Sequence, residues 1–378
     1  MIRLIDYQAE ASRRVRSFLK KARRRQYVQT VTGSRSQVIR LHDDNLWLSP
    51  KKATSPNQIA RKRLVKAAAY VYYTRTCVIK DVERFCRMSS ALFGCLVEMF
   101  SDISRVTETR TGLRRLTILG IRVWLSGTES HPRDLALAAS RGARWAMFNY
   151  LYLRKQGKEN WRRYKAKNGI EKLFIDSGGF QLMNGFSFAK VKAWDLHDCP
   201  IDIEEYADFL KRYRKEFFTW SNLDVRGNDA LSAAHFEFLC DEGVCPMPIW
   251  HIDSSPFSYL EEILTKVDPP CVGIGGILTI RSWRKRNELL SEVFDRFPDV
   301  NFHGFGVCDQ NLFRFPWHSV DLTSAIVAPR RFGKVMTYQG QVPRDPKWDP
   351  TRAIHESLDF VVGLESNYRG EFQGQLFE

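Results

Sequence analysis

From about residue 119 onward, short apolar runs alternate with longer amphipathic stretches. Eight runs stand out, at 121–126, 143–150, 172–175, 217–223, 245–249, 270–274, 300–305 and 319–327. Between them apolar residues recur at helical spacing over 133–140, 160–167, 203–214, 229–242, 259–267, 282–297 and a short 309–313, with a last such stretch at 351–361. Continuous apolar runs suit strands covered on both faces. A parallel strand needs a crossover to the next, usually a helix. Eight strand-then-helix units within roughly 250 residues predict an α/β protein built as a (β/α)8 TIM-like barrel. A doubly wound open sheet is the other topology this order permits.

The first 115 residues break this rhythm. Arg13-Arg14, Lys20-Lys21 and Arg23-Arg24-Arg25 sit among Val15, Phe18 and Leu19, and a second basic run, Arg61-Lys62-Arg63 with Lys66, precedes an apolar helical pattern from Leu64 to Phe100. The expectation is a basic, mainly helical N-terminal extension over 1–115, followed by the barrel over 116–378.

Charge sharpens that division. The 378-residue chain carries a formal net charge of +15. Residues 1–115 hold 25 Lys and Arg against 9 Asp and Glu, and the remainder holds 33 against 34. One basic run alone would be a solvated helix face, but two within the segment that carries the whole surplus point to a polyanion. Arg23, Arg24, Arg25, Arg61, Lys62 and Arg63 are the expected contacts to a nucleic-acid backbone.

With 44% hydrophobic and 13% aromatic residues the chain fills a core, which excludes disorder, collagen and a coiled coil as global descriptions. No run approaches the eighteen or so apolar residues of a membrane span, and Met1-Ile2-Arg3-Leu4-Ile5-Asp6 has no signal-peptide core. A soluble cytoplasmic protein without a membrane partner is expected. The eight cysteines are dispersed and include no Cys-x-x-Cys pair, so they read as small core residues. The closest pair is Cys240 and Cys245, with His235 and His251 nearby, and no metal site is expected there.

Barrel chemistry belongs at the C-terminal ends of the strands. Just past the runs stand Ser126-Gly127-Thr128, Asp176-Ser177-Gly178-Gly179-Phe180-Gln181, Asn222-Leu223-Asp224 and Trp250-His251-Ile252-Asp253, then Gly275-Gly276-Ile277, His303-Gly304-Phe305-Gly306 and Asp321. Taken singly, each has an ordinary structural explanation: a turn cap, a surface ion pair, a satisfied core histidine. Asp321 fits such an explanation least. It interrupts the apolar run Val320-Asp321-Leu322, where an unpaired carboxylate is costly.

The segment Phe174-Ile175-Asp176-Ser177-Gly178-Gly179-Phe180-Gln181 resembles the signature of the tRNA-guanine transglycosylase superfamily, (β/α)8 enzymes that exchange guanine for a 7-deazaguanine. Gly273-Ile274-Gly275-Gly276-Ile277 is similar to the family's Gly-Gly-Leu loop after strand six, and His303-Gly304-Phe305-Gly306 to its Gly-x-Gly after strand seven. Ser319-Val320-Asp321, with Gly333-Lys334-Val335-Met336-Thr337 later, is similar to the segment bearing the nucleophile. The likeness covers roughly residues 119–340 and is thin outside these motifs.

The resemblance implies roles. Asp321 matches the nucleophile that attacks C1′ of the sugar, and Asp176 the general acid/base for the leaving and incoming bases. Phe180 matches the residue that stacks on the base, Asp224 the carboxylate reading its Watson–Crick edge, and Gly275-Gly276 the backbone lining its pocket. Ser177, Gly178, Gly179, Gln181, His251 and His303 complete the expected base-binding set. Base exchange of this kind calls for no metal or organic cofactor. Glycosidic cleavage with retention independently calls for one carboxylate as nucleophile and one for proton transfer.

Two departures matter. The tRNA enzymes carry a Cys-x-Cys-x-x-Cys…His zinc site near the C-terminus, and here no cysteine follows Cys308. Where the bacterial family has Gln-Gly-Gly after strand five, this chain has Trp250-His251-Ile252-Asp253. Both departures, and the basic N-terminal region, resemble the DNA-directed branch of the superfamily, in which phage and bacterial enzymes insert 7-deazaguanines into DNA; such a change to DNA is a route to restriction evasion. The expectation is a transglycosylase (a pentosyltransferase) that exchanges guanine in DNA for a 7-deazaguanine, preQ0 in the first instance, in the host cytoplasm if phage-encoded. The alternatives are action on tRNA, or a non-catalytic accessory subunit that binds nucleic acid.

Overall fold

The computed structural model describes residues 7–29, 35–42, 45–50, 57–155, 159–179, 188–195 and 198–367. Phe180 and Gln181 lie outside them. The chain divides into two compact units, Arg3–Leu119 and Gly120–Glu378. The boundary falls just beyond the expected one, because strand Arg114–Ile118 pairs with Ser104–Glu108 and Thr76–Val78 inside the first unit.

The larger unit contains eight parallel strands: β1 (Arg122–Leu125), β2 (Trp145–Asn149), β3 (Lys172–Asp176), β4 (Phe217–Trp220), β5 (Ile249–His251), β6 (Val272–Gly275), β7 (Phe302–Gly304) and β8 (Ser319–Leu322). Their order in the sheet is β4-β3-β2-β1-β8-β7-β6-β5, so the first and last strands of the series are neighbours at its centre. The outer strands β4 and β5 do not pair along their length. Just beyond β4, Ser221 forms an isolated parallel bridge with Met247. There Met247 N donates to Trp220 O at 2.8 Å, and Asn222 N donates to Met247 O at 2.9 Å. The sheet is thus curled in a TIM-like manner, with a seam between β4 and β5.

Side-chain alternation sorts the strand residues between the two faces of the curl. Trp124 of β1 turns inward against Trp145 of β2, Phe174 of β3 and Phe218 of β4, with ring centroids 5.3, 5.7 and 5.4 Å away. Val123 and Leu125, one position to either side of Trp124, belong to an outer cluster with Val272, Ile274, Phe302 and Val320. A second cluster serves β2 to β4, where Phe148, Leu173 and Ile175 meet Tyr206 and Leu210 of helix Ile203–Tyr213. The last helix, Pro350–Asn367, sends Glu365 to the buried Arg122 at the start of β1, 2.7 Å away, and to Trp145 Nε1 at 3.0 Å.

The eighth apolar run is shorter as a strand than the pattern predicts. Its second half, from Ser324, opens helix Ser324–Phe332. The cysteines also differ from expectation. Gly243, at φ +76°, turns the chain back after helix Asp229–Asp241 so that Cys240 and Cys245 form a disulfide. Cys77, Cys86, Cys95 and Cys199 are buried, as small core residues are.

The smaller unit is not mainly helical. Beside helices Tyr7–Arg25, Arg61–Thr74, Ile79–Val82 and Ser89–Met99 it holds seven strands among the described residues, in antiparallel sheets of four and three. In Asn45–Pro50 the alternation is plain in the structure, with Leu46 and Leu48 buried and Trp47 between them half-exposed. Because the outward Trp47 is itself apolar, Leu46-Trp47-Leu48 reads along the sequence as one apolar block. Within the first basic run Arg14 is structural: its guanidinium bonds Met99 O at 2.7 Å and Asp102 Oδ1 at 2.5 Å. Arg23, Arg24 and Arg25 are exposed at the last turn of their helix, Arg25 pairing with Glu98 at 2.9 Å. Lys62 and Arg63 are exposed, and Arg61 half-buried, at the first turn of helix Arg61–Thr74. No helix among the described residues is long and apolar enough to cross a membrane.

Candidate active site at the carboxyl ends of the strands

Asp321 sits inside β8 and is buried, 7% exposed. Its cost is offset by two donors from neighbouring strand ends. Ser126 Oγ, after β1, donates to Oδ2 at 2.9 Å, and the Gly306 N–H, after β7, donates to Oδ1 at 2.8 Å. Burial pushes its carboxyl up to about 6 against these lowering bonds. Gly306 has φ +71°, a conformation that favours glycine and lets its N–H face the carboxylate.

Asp176 ends β3 and is half-buried. Asn149 Nδ2, at the end of β2, donates to its Oδ2 at 2.8 Å, and the Gly178 N–H also bonds the carboxylate. Burial first, then the charges of Asp224, Asp321 and Glu129, push it up to about 8. Asp176 therefore feels the charges of both other aspartates expected from the strand ends. Glu129, in the loop after β1, is buried and pushed up to about 7 by that burial. A carboxyl raised to about 8 holds its proton near pH 7 and one at about 6 has lost it, so the pair can supply one acid and one base.

Asp224, beyond β4, accepts from His251 Nε2, at the end of β5, at 2.7 Å. Both are buried, at 5% and 4%. This bond spans the β4–β5 seam. Glycines allow the approach on either side. A Cβ on Gly179 would stand 2.7 Å from the Asp224 carbonyl oxygen, and one on Gly275 would stand 2.6 Å from His251 Nδ1. Loops after β3 to β6 thus converge on one carboxylate–imidazole pair.

A second tie holds the same loops together. Asp253, after β5, receives Arg226 from the β4 loop, with Nε at 2.9 Å, and the Thr279 hydroxyl from the β6 loop. Burial raises the Asp253 carboxyl, but these bonds outweigh it and hold it below the ordinary value. Gly276, at φ +76°, passes so close that a Cβ would strike Asp253 Oδ1.

Of the other expected base-binding residues, Ser177 is buried and receives a weak bond from Gly179 N at 3.3 Å. His303 is enclosed at 0% exposure between Phe174 and Phe305, and its Nδ1 lies 2.8 Å from Ser319 Oγ. Burial lowers its imidazole to about 3, so it is neutral in the interior behind Asp321. Asn149, Glu129 and the Arg226–Asp253–Thr279 tie join the site from outside the expected set. Asn149 has a readable signal in the sequence, as a polar residue near the close of an apolar run. Among the described residues no group of three or more His, Cys, Asp and Glu side chains is placed to hold a metal ion. Compared with models of known protein families and with curated proteins, the chain matches none.

Proposed function

We propose that the chain is a transglycosylase that exchanges guanine in DNA for a 7-deazaguanine base, with preQ0 as the first candidate, and that the curled sheet works as a (β/α)8 catalytic barrel. The observation that carries this reading is a pair of strand-end carboxylates, Asp321 held by Ser126 Oγ and the Gly306 N–H and Asp176 held by Asn149 Nδ2, with burial raising both carboxyls and Asp176 the further. Ionised Asp321 attacks C1′ and the C1′–N9 bond breaks. Asp176 gives its proton to the departing guanine. The incoming base then attacks C1′ through N9, the Asp321–C1′ bond breaks, and Asp176 takes the N9 proton, so that the enzyme returns to its starting state.

The target guanine has to leave the base stack for this geometry. Asp224, fixed by His251, supplies an acceptor for guanine N–H groups, and Gly275-Gly276 offer a wall without side chains. Arg23, Arg24, Arg25, Arg61, Lys62 and Arg63 supply phosphate contacts that weaken with salt.

The test is incubation of DNA and, separately, tRNA with labelled preQ0, in wild-type protein and Asp321→Ala. Label in DNA that is lost in the variant is expected, together with a covalent protein–DNA adduct on denaturing gels. Label in tRNA alone refutes the DNA substrate. Exchange retained by Asp321→Ala refutes the mechanism, and no exchange on either polymer favours a non-catalytic binding subunit.

A further inference from the structure

A cavity of about 610 Å³ lies on the β7 side of the strand-end cluster, and the reaction above does not use it. Trp283 stands in its wall, 44% exposed at the first position of helix Trp283–Arg296. Gln310, Gln339 and Gln341 bring three carboxamides to it, and Lys334 a cation. Arg286 and Asp309, paired at 3.1 Å, also line it. The Arg286 Nε is buried without an acceptor among the described residues.

These groups have a shared chemistry. An exposed indole plane stacks on any unstacked base. A glutamine carboxamide offers one acceptor and two donors, the pattern that reads a base edge. A lysine at the rim meets phosphate. The volume lies in the range of small-ligand sites.

Position adds the second argument. Gly306 N touches Asp321 Oδ1, and Asp309 of the cavity wall follows only three residues later. Even a fully extended chain covers about 11 Å over that distance. Leu278, 53% exposed, packs over Gly306. The cavity is therefore within reach of the nucleotide next to one whose C1′ sits at Asp321.

We infer that this cavity is a subsite for the base of a nucleotide flanking the target guanine on the same strand, stacked on Trp283 and read by the glutamines. The inference rests on the transglycosylase reading for what occupies Asp321, but its readout is binding. The probe is a single-stranded 12-mer with one guanine and 2-aminopurine on one side of it or the other, titrated with full-length protein. Quenching from one of the two positions is expected. Trp283→Ala raises Kd about tenfold and abolishes the quench, while Trp283→Phe keeps most of both; Gln310→Ala combined with Gln339→Ala reduces discrimination between neighbouring bases. An unchanged Kd and quench in Trp283→Ala overturn the subsite even where exchange proceeds. A Trp283-dependent quench without exchange by the wild type overturns the transglycosylase reading alone. Absence of binding overturns both.

Discussion

Replacing Asp176 by Asn removes a charge that the fold resists. The folded-state carboxyl titrates at about 8, against an ordinary value of 3.8. A group whose folded value is raised contributes its full stability below the unfolded value, and that contribution is lost as pH climbs through the folded one. The window is therefore from about pH 4 to about pH 8. Within it the loss runs at about 1.4 kcal/mol per pH unit for a single group. Between pH 5 and 8 that sets a ceiling of about 4 kcal/mol, which water reaching this half-buried carboxyl lowers. Asn keeps an acceptor for the Asn149 and Gly178 donors and does not titrate. In a unit of this size 1 kcal/mol moves Tm by about 2–4 °C. Thermal unfolding of both proteins, followed by circular dichroism from pH 5 to 9, should show the variant gaining on the wild type by up to about ten degrees and levelling off above pH 8. Loss of a hydrogen bond on substitution would offset the curves equally at every pH. Parallel curves across the whole range would refute the assignment of the raised proton affinity to Asp176.

Under the proposed mechanism, the same split sets the pH dependence of exchange. Asp321 must be ionised and Asp176 protonated, so kcat/KM should follow a bell with limbs near 6 and 8, and a rate still rising at pH 10 contradicts the roles given to them. Gly179→Ala places a Cβ 2.7 Å from the Asp224 carbonyl oxygen, where backbone must yield. A loss of about 1–3 kcal/mol in stability and a raised KM for the incoming base are expected from calorimetry and kinetics. Gly243→Ala is the control: it suffers from φ +76° but meets nothing within 4 Å, so its KM should not move.

The periodic half of the sequence is legible because each strand and helix there is fixed by its own pattern. Helix Asn160–Lys167 falls where its spacing puts it, and helix Asp229–Asp241 ends one residue early. Two runs are exceptions: 245–249 meets its strand, Ile249–His251, at a single residue, and the run from Ser319 reads as one apolar block. A strand and the first turn of a buried helix are equally apolar there, and only Thr323, next in line after β8, marks the change. The strands of the first unit are hard to read because they are short and do not alternate cleanly: Trp47 is apolar on the outward side of Asn45–Pro50, and in Ser104–Glu108 the buried residue is Thr107 while Val106 is half-buried. At the site, burial of a carboxylate in an apolar run is readable for Asp321. The hydroxyl of Ser126 and the N–H of Gly306 that compensate it come from the opposite end of the series and from backbone, neither of which has a one-dimensional signal. The Arg226–Asp253 pair spans 27 residues, and only the curl of the sheet makes it local.

The seam between β4 and β5 has a kinetic consequence. A curled sheet opens first where its hydrogen-bond ladder is thinnest, and there the ladder consists of the Trp220, Asn222 and Met247 backbone bonds. Asp224 and His251 face each other across that joint, as do Arg226 and Asp253. Side chains that look devoted to recognition thus also rivet the weakest edge of the fold. A base held between the β4 and β5 loops strengthens the same joint by mass action. Amide exchange along residues 217–222 and 247–251 should slow as that base is added, which makes the seam a built-in reporter of occupancy.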